Sequence, residues 1–553
     1  MPAPVRKPVA VIVGLLVAAC GSGALHIAGT NKSVTTAVSA VGSVVGLPGV
    51  NPLYPKTGMN LAALANYSGE LPLMDRFKMG GAWIVRGGGA VDPSQLNGDG
   101  WPIAMPATGY WEINIPLDPL SANTSTEYVV RWKGTGTVVA GIVNVESRGD
   151  HQLKFVNVYG SALIDITATD PNDPIRDITV LRSDQVADYD SGKVFTPDFV
   201  NRVVKPFAAF RTMDWDQINN SQEINWADRQ KPGDALWTRM PLELEVRLAN
   251  EAGVDLWKTI PAHASDDYVR QTLSYIKANL SPTLKLHLEY SNEVWNGSFE
   301  QNRWAAQQAQ TMWQTTQWAA NTYYGYRAAQ IASIGWSIFG SGSAQFRPVL
   351  GGWYGWTGTE VTDAMAKGVS FANVGTIGSL FREYAVAVYF GDALGAQPGN
   401  EADRAVVLGW ANDTTGNGLT QAFQQLAHGG LLQAAGTSLD DAKYNYEPKH
   451  AAWAKANGLA LVGYEGGLSF YYFMADPATK PILTNFFARL IADPRMGQLY
   501  TRWLQDFSAN GGQLMENYDD VNLLSEYGPW GSLDTIYAPD TPRYTALRTA
   551  AGL

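Results

Sequence analysis

A single cysteine, Cys20, stands in 553 residues, so no disulfide can form within the chain and the fold must be held by its core. Positive charge is also short: 40 Lys and Arg stand against 51 Asp and Glu, a formal net charge of −11. Nucleic-acid binding needs clustered Lys and Arg to replace phosphate counterions, so no nucleic-acid partner is expected. Beyond residue 20, no segment is apolar for the roughly 20 residues that span a bilayer. The six histidines are scattered and form neither an HExxH pattern nor a paired His-Asp spacing, so no metal centre is expected. A Gly-x-Ser-x-Gly nucleophile elbow is missing, and so is a Gly-x-x-x-x-Gly-Lys-[Ser/Thr] phosphate loop. Nothing that remains implies a cofactor.

What is present begins with an export signal. Arg6 and Lys7 precede an apolar run over residues 9–19 that is too short to span a membrane. It ends in Val17-Ala18-Ala19-Cys20, which resembles the bacterial lipobox, in which the cysteine is acylated. Cys20 is therefore the expected lipidation site. Gly21 in place of aspartate suggests, by analogy with enterobacterial sorting, the outer membrane, facing the periplasm or the cell surface. Residues 1–20 read as a lipoprotein signal peptide and residues 21–48, small and weakly polar, as a flexible tether. Trp, Tyr and Phe reach 11%, and their flat faces suit both cores and sugar rings.

Two textures divide the rest. Over residues 81–190, short alternating runs such as 110–115, 128–132, 137–145 and 178–181 are separated by Gly, Pro, Asn and Asp, which predicts an antiparallel β-sandwich. Over residues 191–553, helical segments alternate with short apolar strands, which predicts a parallel α/β sheet. Seven strands are expected, at 207–211, 255–260, 284–290, 346–350, 384–389, 459–464 and 513–517, with one long helix over 299–334. Residues 49–80 supply an eighth strand near 58–64 and a helix. The fold class is thus α/β, a (β/α)₈ barrel with an inserted or N-terminal sandwich.

In such barrels chemistry sits at the C-terminal strand ends. In the fourth strand the leucines share one parity, so His287, Glu289 and Glu293 are expected to point inward. The seventh strand runs into Glu465-Gly466-Gly467, a carboxylate delivered to a glycine-rich turn. Two carboxylates on such ends suit glycoside hydrolysis, in which one protonates the leaving oxygen and one meets the oxocarbenium-like centre.

Tyr290-Ser291-Asn292-Glu293-Val294-Trp295-Asn296 resembles the Asn-Glu motif of the clan A retaining glycoside hydrolases, the superfamily of cellulases, mannanases and xylosidases. The likeness covers roughly residues 207–547 as strand order and local motifs. It implies Glu293 as acid/base, Glu465 as nucleophile and Asn292 on the sugar 2-hydroxyl. It also points to Arg211 beside the nucleophile and to Trp530 as a sugar platform. His263 follows the third strand and is expected to touch a sugar hydroxyl, and Tyr389 to aim at Glu465. Trp295, Trp353 and Trp356 are further platform candidates, while Asp214, Trp215, Trp226 and Asp228 are candidates to line the cleft. Glu289 is a third acid, which either tunes Glu293 or pairs with Arg211 or His287.

The expected activity is hydrolysis of a polysaccharide, a β-linked glucan or related exopolysaccharide, by a monomer. Two alternatives stay open. One is a cell-surface polysaccharide-binding protein with an inert barrel, a role some similar secreted bacterial proteins carry as a cellulose-binding label. The other is transglycosylation through the same intermediate.

Overall fold

The computed structural model describes residues 53–119, 126–395, 401–434 and 438–553. Cys20, the export signal and the tether lie outside the described residues. Among the described residues, no helix is long and apolar enough to cross a membrane.

Sixteen strands are described. β1 (Lys56–Asn60) comes first and belongs to the barrel. Eight sandwich strands follow: β2 (Ile84–Arg86), β3 (Tyr110–Pro116), β4 (Glu127–Lys133), β5 (Gly136–Gly141), β6 (Asn144–Gly149), β7 (Gln152–Val156), β8 (Ser161–Thr169) and β9 (Arg176–Arg182). The barrel resumes with β10 (Ala209–Arg211), β11 (Asp255–Ile260), β12 (Leu286–Tyr290), β13 (Phe346–Gly352), β14 (Glu383–Phe390), β15 (Ala460–Leu468) and β16 (Gly512–Asn517).

The barrel closes in the order β1-β10-β11-β12-β13-β14-β15-β16, every neighbouring pair parallel. The sandwich therefore interrupts the barrel after its first strand. Its sheets, β2-β3-β8-β5 and β6-β7-β4-β9, share a core of Trp111, Ile113, Tyr128, Val130, Phe155, Ile164 and Val180. It is tied to the barrel loops by Ala235 N–H donating to the Asp99 carbonyl at 2.7 Å and Lys78 Nζ donating to the Asp234 carbonyl at 2.6 Å.

Local chemistry explains the elements that carry the site. β12 is buried along its whole length, as a strand covered by helices outside and filled inside must be. The helix Asp266–Asn279 between β11 and β12 starts at Ser265, whose hydroxyl accepts from Tyr268 N–H at 3.2 Å. The helix Leu242–Ala252 stops at Gly253, which takes the left-handed cap at φ 72°.

Three expectations change. The long helix over 299–334 is two, Glu300–Trp313 and Ala319–Phe339, with Gln314 and Trp318 left-handed at φ 56° and 53°. The break lets Trp313 pack on Tyr326 and Phe371, and Trp318 on Trp356. The run 137–145 is two strands, β5 and β6, in different sheets; it turns at Ile142, φ 55°. After β1 no α-helix forms, and the chain passes through residues 61–75 to a single 3₁₀ turn, Arg76–Met79.

Candidate active site

Glu293 does not reach the barrel mouth by strand alternation. β12 ends at Tyr290, and the chain then passes through two left-handed residues, Ser291 (φ 57°) and Glu293 (φ 41°). Each such non-glycine position costs about 1–2 kcal/mol, so the surroundings must hold it. They do: Ser291 N–H donates to the Ile260 carbonyl at 2.7 Å, and Gln301 Nε2 donates to the Asn292 carbonyl at 2.9 Å. The inward parity holds for His287 and Glu289 alone.

The Glu293 carboxyl is 7% exposed and has only neutral partners. Tyr464 Oη donates to its Oε1 and Asn296 Nδ2 to its Oε2, both at 2.9 Å. Burial, and then the charge of nearby Glu465, push its pKa up to about 7, against the two hydrogen bonds. Such a group holds a proton near neutral pH and can give it away.

Glu465 lies inside β15 and not on a turn after it, because β14 and β15 stay paired as far as Phe390 and Leu468. Gly466 keeps that stretch slim: a Cβ there would lie 2.6 Å from Trp503 Cζ2. Across the pair, Val386 opposes Gly463 and Ala387 opposes Glu465, so Tyr464 is an extra residue in β15. Such a bulge breaks strict alternation. Consecutive side chains, Tyr464 and Glu465, therefore both reach the site.

Glu465 is held by a cation. Arg211, fully buried at the end of β10, donates from Nη1 to Glu465 Oε1 at 2.7 Å. Tyr389 Oη donates to Glu465 Oε2 at 2.8 Å. The other Arg211 donors go to Glu289 Oε2 (2.9 Å) and Oε1 (3.1 Å), Asn60 Oδ1 (3.0 Å) and Asn292 Oδ1 (2.9 Å). All five guanidinium N–H groups are used. Attraction to Glu289 and Glu465 raises the Arg211 pKa against the opposing pull of burial. Two buried carboxylates thus face one mouth in different environments, one with neutral donors and one with an ion pair.

No family model matches the chain, and no curated protein matches it. Among solved structures, the chain is similar to an endo-β-1,4-xylanase of glycoside hydrolase family 10 from Gloeophyllum trabeum. The identity is 10% and the TM-score 0.34, over 62% of this chain and 87% of that one. A β-galactosidase from Marinomonas ef1 matches at 9% identity and TM-score 0.36, over 64% of this chain and 56% of that one. Xylanase 10B from Thermotoga maritima matches at 11% identity and TM-score 0.33, over 65% and 91%. Likeness of this size carries no argument about activity, which rests on the geometry.

The remaining expected residues separate into those near the carboxylates and those elsewhere. Trp530 packs edge-on against Tyr389 and Tyr518, with ring centroids 5.8 and 5.4 Å apart. Trp295 meets Tyr464 and Tyr324 edge-on. Asp214 accepts from Tyr518 Oη at 2.9 Å, and burial pushes its pKa up to about 7. Trp353 and Trp356, after β13, form a half-buried cluster with Trp318, which precedes the helix Ala319–Phe339. His263 touches neither carboxylate: it stacks on Trp304 at 4.4 Å, with Nε2 3.2 Å from Glu300 Oε2 but not aligned for a hydrogen bond. Trp215 lines no cleft, being fully buried and stacked on Phe195 and Phe199. Trp226 packs on Tyr268 and Arg229, and Asp228 accepts from Ile224 and Asn225 N–H to close its own loop.

Tyr464, Asn60, Trp257 and Tyr518 were not singled out in the sequence. Tyr464 stands next to Glu465, but strict alternation would send it to the other face, and the bulge is set by pairing with β14. His287 pairs with Glu383 at 2.7 Å, which leaves Glu289 to Arg211.

Proposed function

We propose that the chain is a retaining glycoside hydrolase acting on a polysaccharide, with Glu293 as acid/base and Glu465 as nucleophile. One observation carries this reading: two buried carboxylates share a mouth, one pushed up to about pKa 7 by burial and the charge of Glu465, the other tied to Arg211 and Tyr389. Glu293 gives its proton to the glycosidic oxygen as the C1–O bond breaks, while a Glu465 oxygen bonds to C1. In the second step water attacks C1, its proton passes to Glu293, and the bond to Glu465 breaks.

In this reading Asn292, held through Arg211 and Asn219, meets the 2-hydroxyl. Tyr389 and Arg211 orient the nucleophile, and Trp530 and Trp295 frame the sugar. The retaining outcome and the substrate class, a β-linked glucan or related exopolysaccharide, are part of the proposal and rest on the resemblance to the clan A retaining glycoside hydrolases alone. An inert binding barrel would have no need of two carboxylates this closely partnered. The test is the anomeric configuration of the first product on a cleaved glycan, read by ¹H NMR before mutarotation. Retention is expected, and an inverted product would overturn the nucleophile role.

We also propose that the chain is exported and lipid-anchored at Cys20. Metabolic labelling with an alkyne fatty acid should mark the protein and fail in Cys20→Ser; label retained in that variant would contradict the anchor.

A further inference from the structure

Glu289 is a third buried carboxylate, 2% exposed, that the two-step chemistry leaves unused. Its oxygens take the Nε and Nη2 edge of Arg211 at 2.9 and 3.1 Å, and Oε2 also accepts from Trp257 Nε1 at 2.8 Å. With every guanidinium donor engaged, Arg211 cannot turn further toward Glu465 without abandoning Glu289, Asn60 or Asn292. The groups that face Glu289 are Arg211 on β10, Trp257 on β11, Tyr464 and Glu465 on β15, and Tyr324 on the helix Ala319–Phe339.

We infer that Glu289 is a positioning residue that anchors Arg211 edge-on, so that a single Nη1 reaches Glu465, and that offsets the guanidinium charge felt by Glu293. The inference rests on the proposed roles of Glu293 and Glu465. Its logic is a charge count. Arg211 contributes +1, Glu289 −1 and Glu465 −1, leaving a net negative neighbourhood in which a nearby acid keeps its proton. Without Glu289 the sum is zero, the net negative charge that favours the protonated acid is gone, and the Glu293 pKa falls. A cation strong enough to hold the nucleophile would otherwise spoil the acid beside it.

The test is ¹³C NMR of the full-length chain labelled at glutamate Cδ, with the Glu293 signal assigned by its loss in Glu293→Gln. In Glu289→Gln the Glu293 midpoint should fall by about one unit. In Glu289→Asp, which keeps the charge, it should stay within about 0.3 units of the wild type. A Glu293 midpoint unchanged in Glu289→Gln, with only the melting temperature lowered, would reduce Glu289 to a structural ion-pair partner and overturn the inference. If Glu289→Gln does not fold, Glu289→Asp still decides, because a shift there of about one unit contradicts the charge count. The readout needs no turnover, so failure to cleave any sugar would count against the hydrolase reading and leave this result standing on its own.

Discussion

Replacing Tyr464 by Phe removes one oxygen from the site and leaves the ring that Arg211 overlies at 5.1 Å. That oxygen donates to Glu293 Oε1 at 2.9 Å and is one of two hydrogen bonds holding the Glu293 pKa down. A hydrogen bond to a buried charged group contributes about 1.5–3 kcal/mol. One pKa unit corresponds to about 1.4 kcal/mol, so the loss amounts to about one to two units. The sign follows from which form gains: the hydroxyl favours the carboxylate, so its removal favours the acid and raises the pKa from about 7. The alkaline limb of the activity profile should therefore move up by about one to two pH units, with the acid limb moving less. The assay is kcat/KM against pH, with the Glu293 carboxyl followed by ¹³C NMR in parallel. A Glu293 midpoint that stays put or falls would refute the assignment of Tyr464 as the donor that tunes the acid.

Three further outcomes are expected. Glu293→Ala should lose far more activity on natural glycans than on aryl glycosides with activated leaving groups, in the glycosylation step, because these need little protonation; equal losses on both would contradict the acid role. Arg211→Ala leaves Glu289 and Glu465 buried with no cation and should destabilise the fold by about 3–5 kcal/mol in urea titration; an unchanged midpoint would show that the ion pairs carry no stability. Glu516, inside the barrel beside Gly58, has no hydrogen-bond partner, and burial pushes its pKa up from 4.5 to about 8. A raised acid contributes stability that is full below its unfolded pKa and is lost as pH climbs through the folded one. Glu516→Gln should therefore gain on the wild type between about pH 5 and pH 8, by up to about 1.4 kcal/mol per unit. Parallel stability curves would refute it.

The barrel could be read from the chain because short apolar strands alternate with helical segments; 460–464 is a continuous apolar run, and in 286–290 the leucines keep one parity against His287 and Glu289. Glu465 stood out as a carboxylate directly after an apolar run, and Glu293 through the leucine parity and the motif 290–296. Arg211 and Tyr389 were legible at the ends of the expected strands 207–211 and 384–389, Arg211 through the resemblance. The rest depended on contacts that no local pattern encodes. Tyr464 enters the site through a bulge fixed by β14, and Glu293 through two left-handed residues pinned by Ile260 and Gln301. The partner of His287, Glu383, is 96 residues away, so nothing near His287 could assign Glu289 to Arg211. Trp215 looked like a cleft residue because it follows β10, but Phe195 and Phe199 from the preceding segment bury it.

The central claim, that Glu465 is the nucleophile of a polysaccharide hydrolase, is tested most directly by reducing-end release across a polysaccharide panel. The wild type and Glu465→Gln would be run side by side, with affinity gels on the same sugars. The account predicts release from at least one glycan by the wild type. It also predicts a loss of about 10⁴-fold or more in the variant, with retention in the gel preserved. Full activity in the variant, or a glycan retained by both proteins and cut by neither, would contradict it.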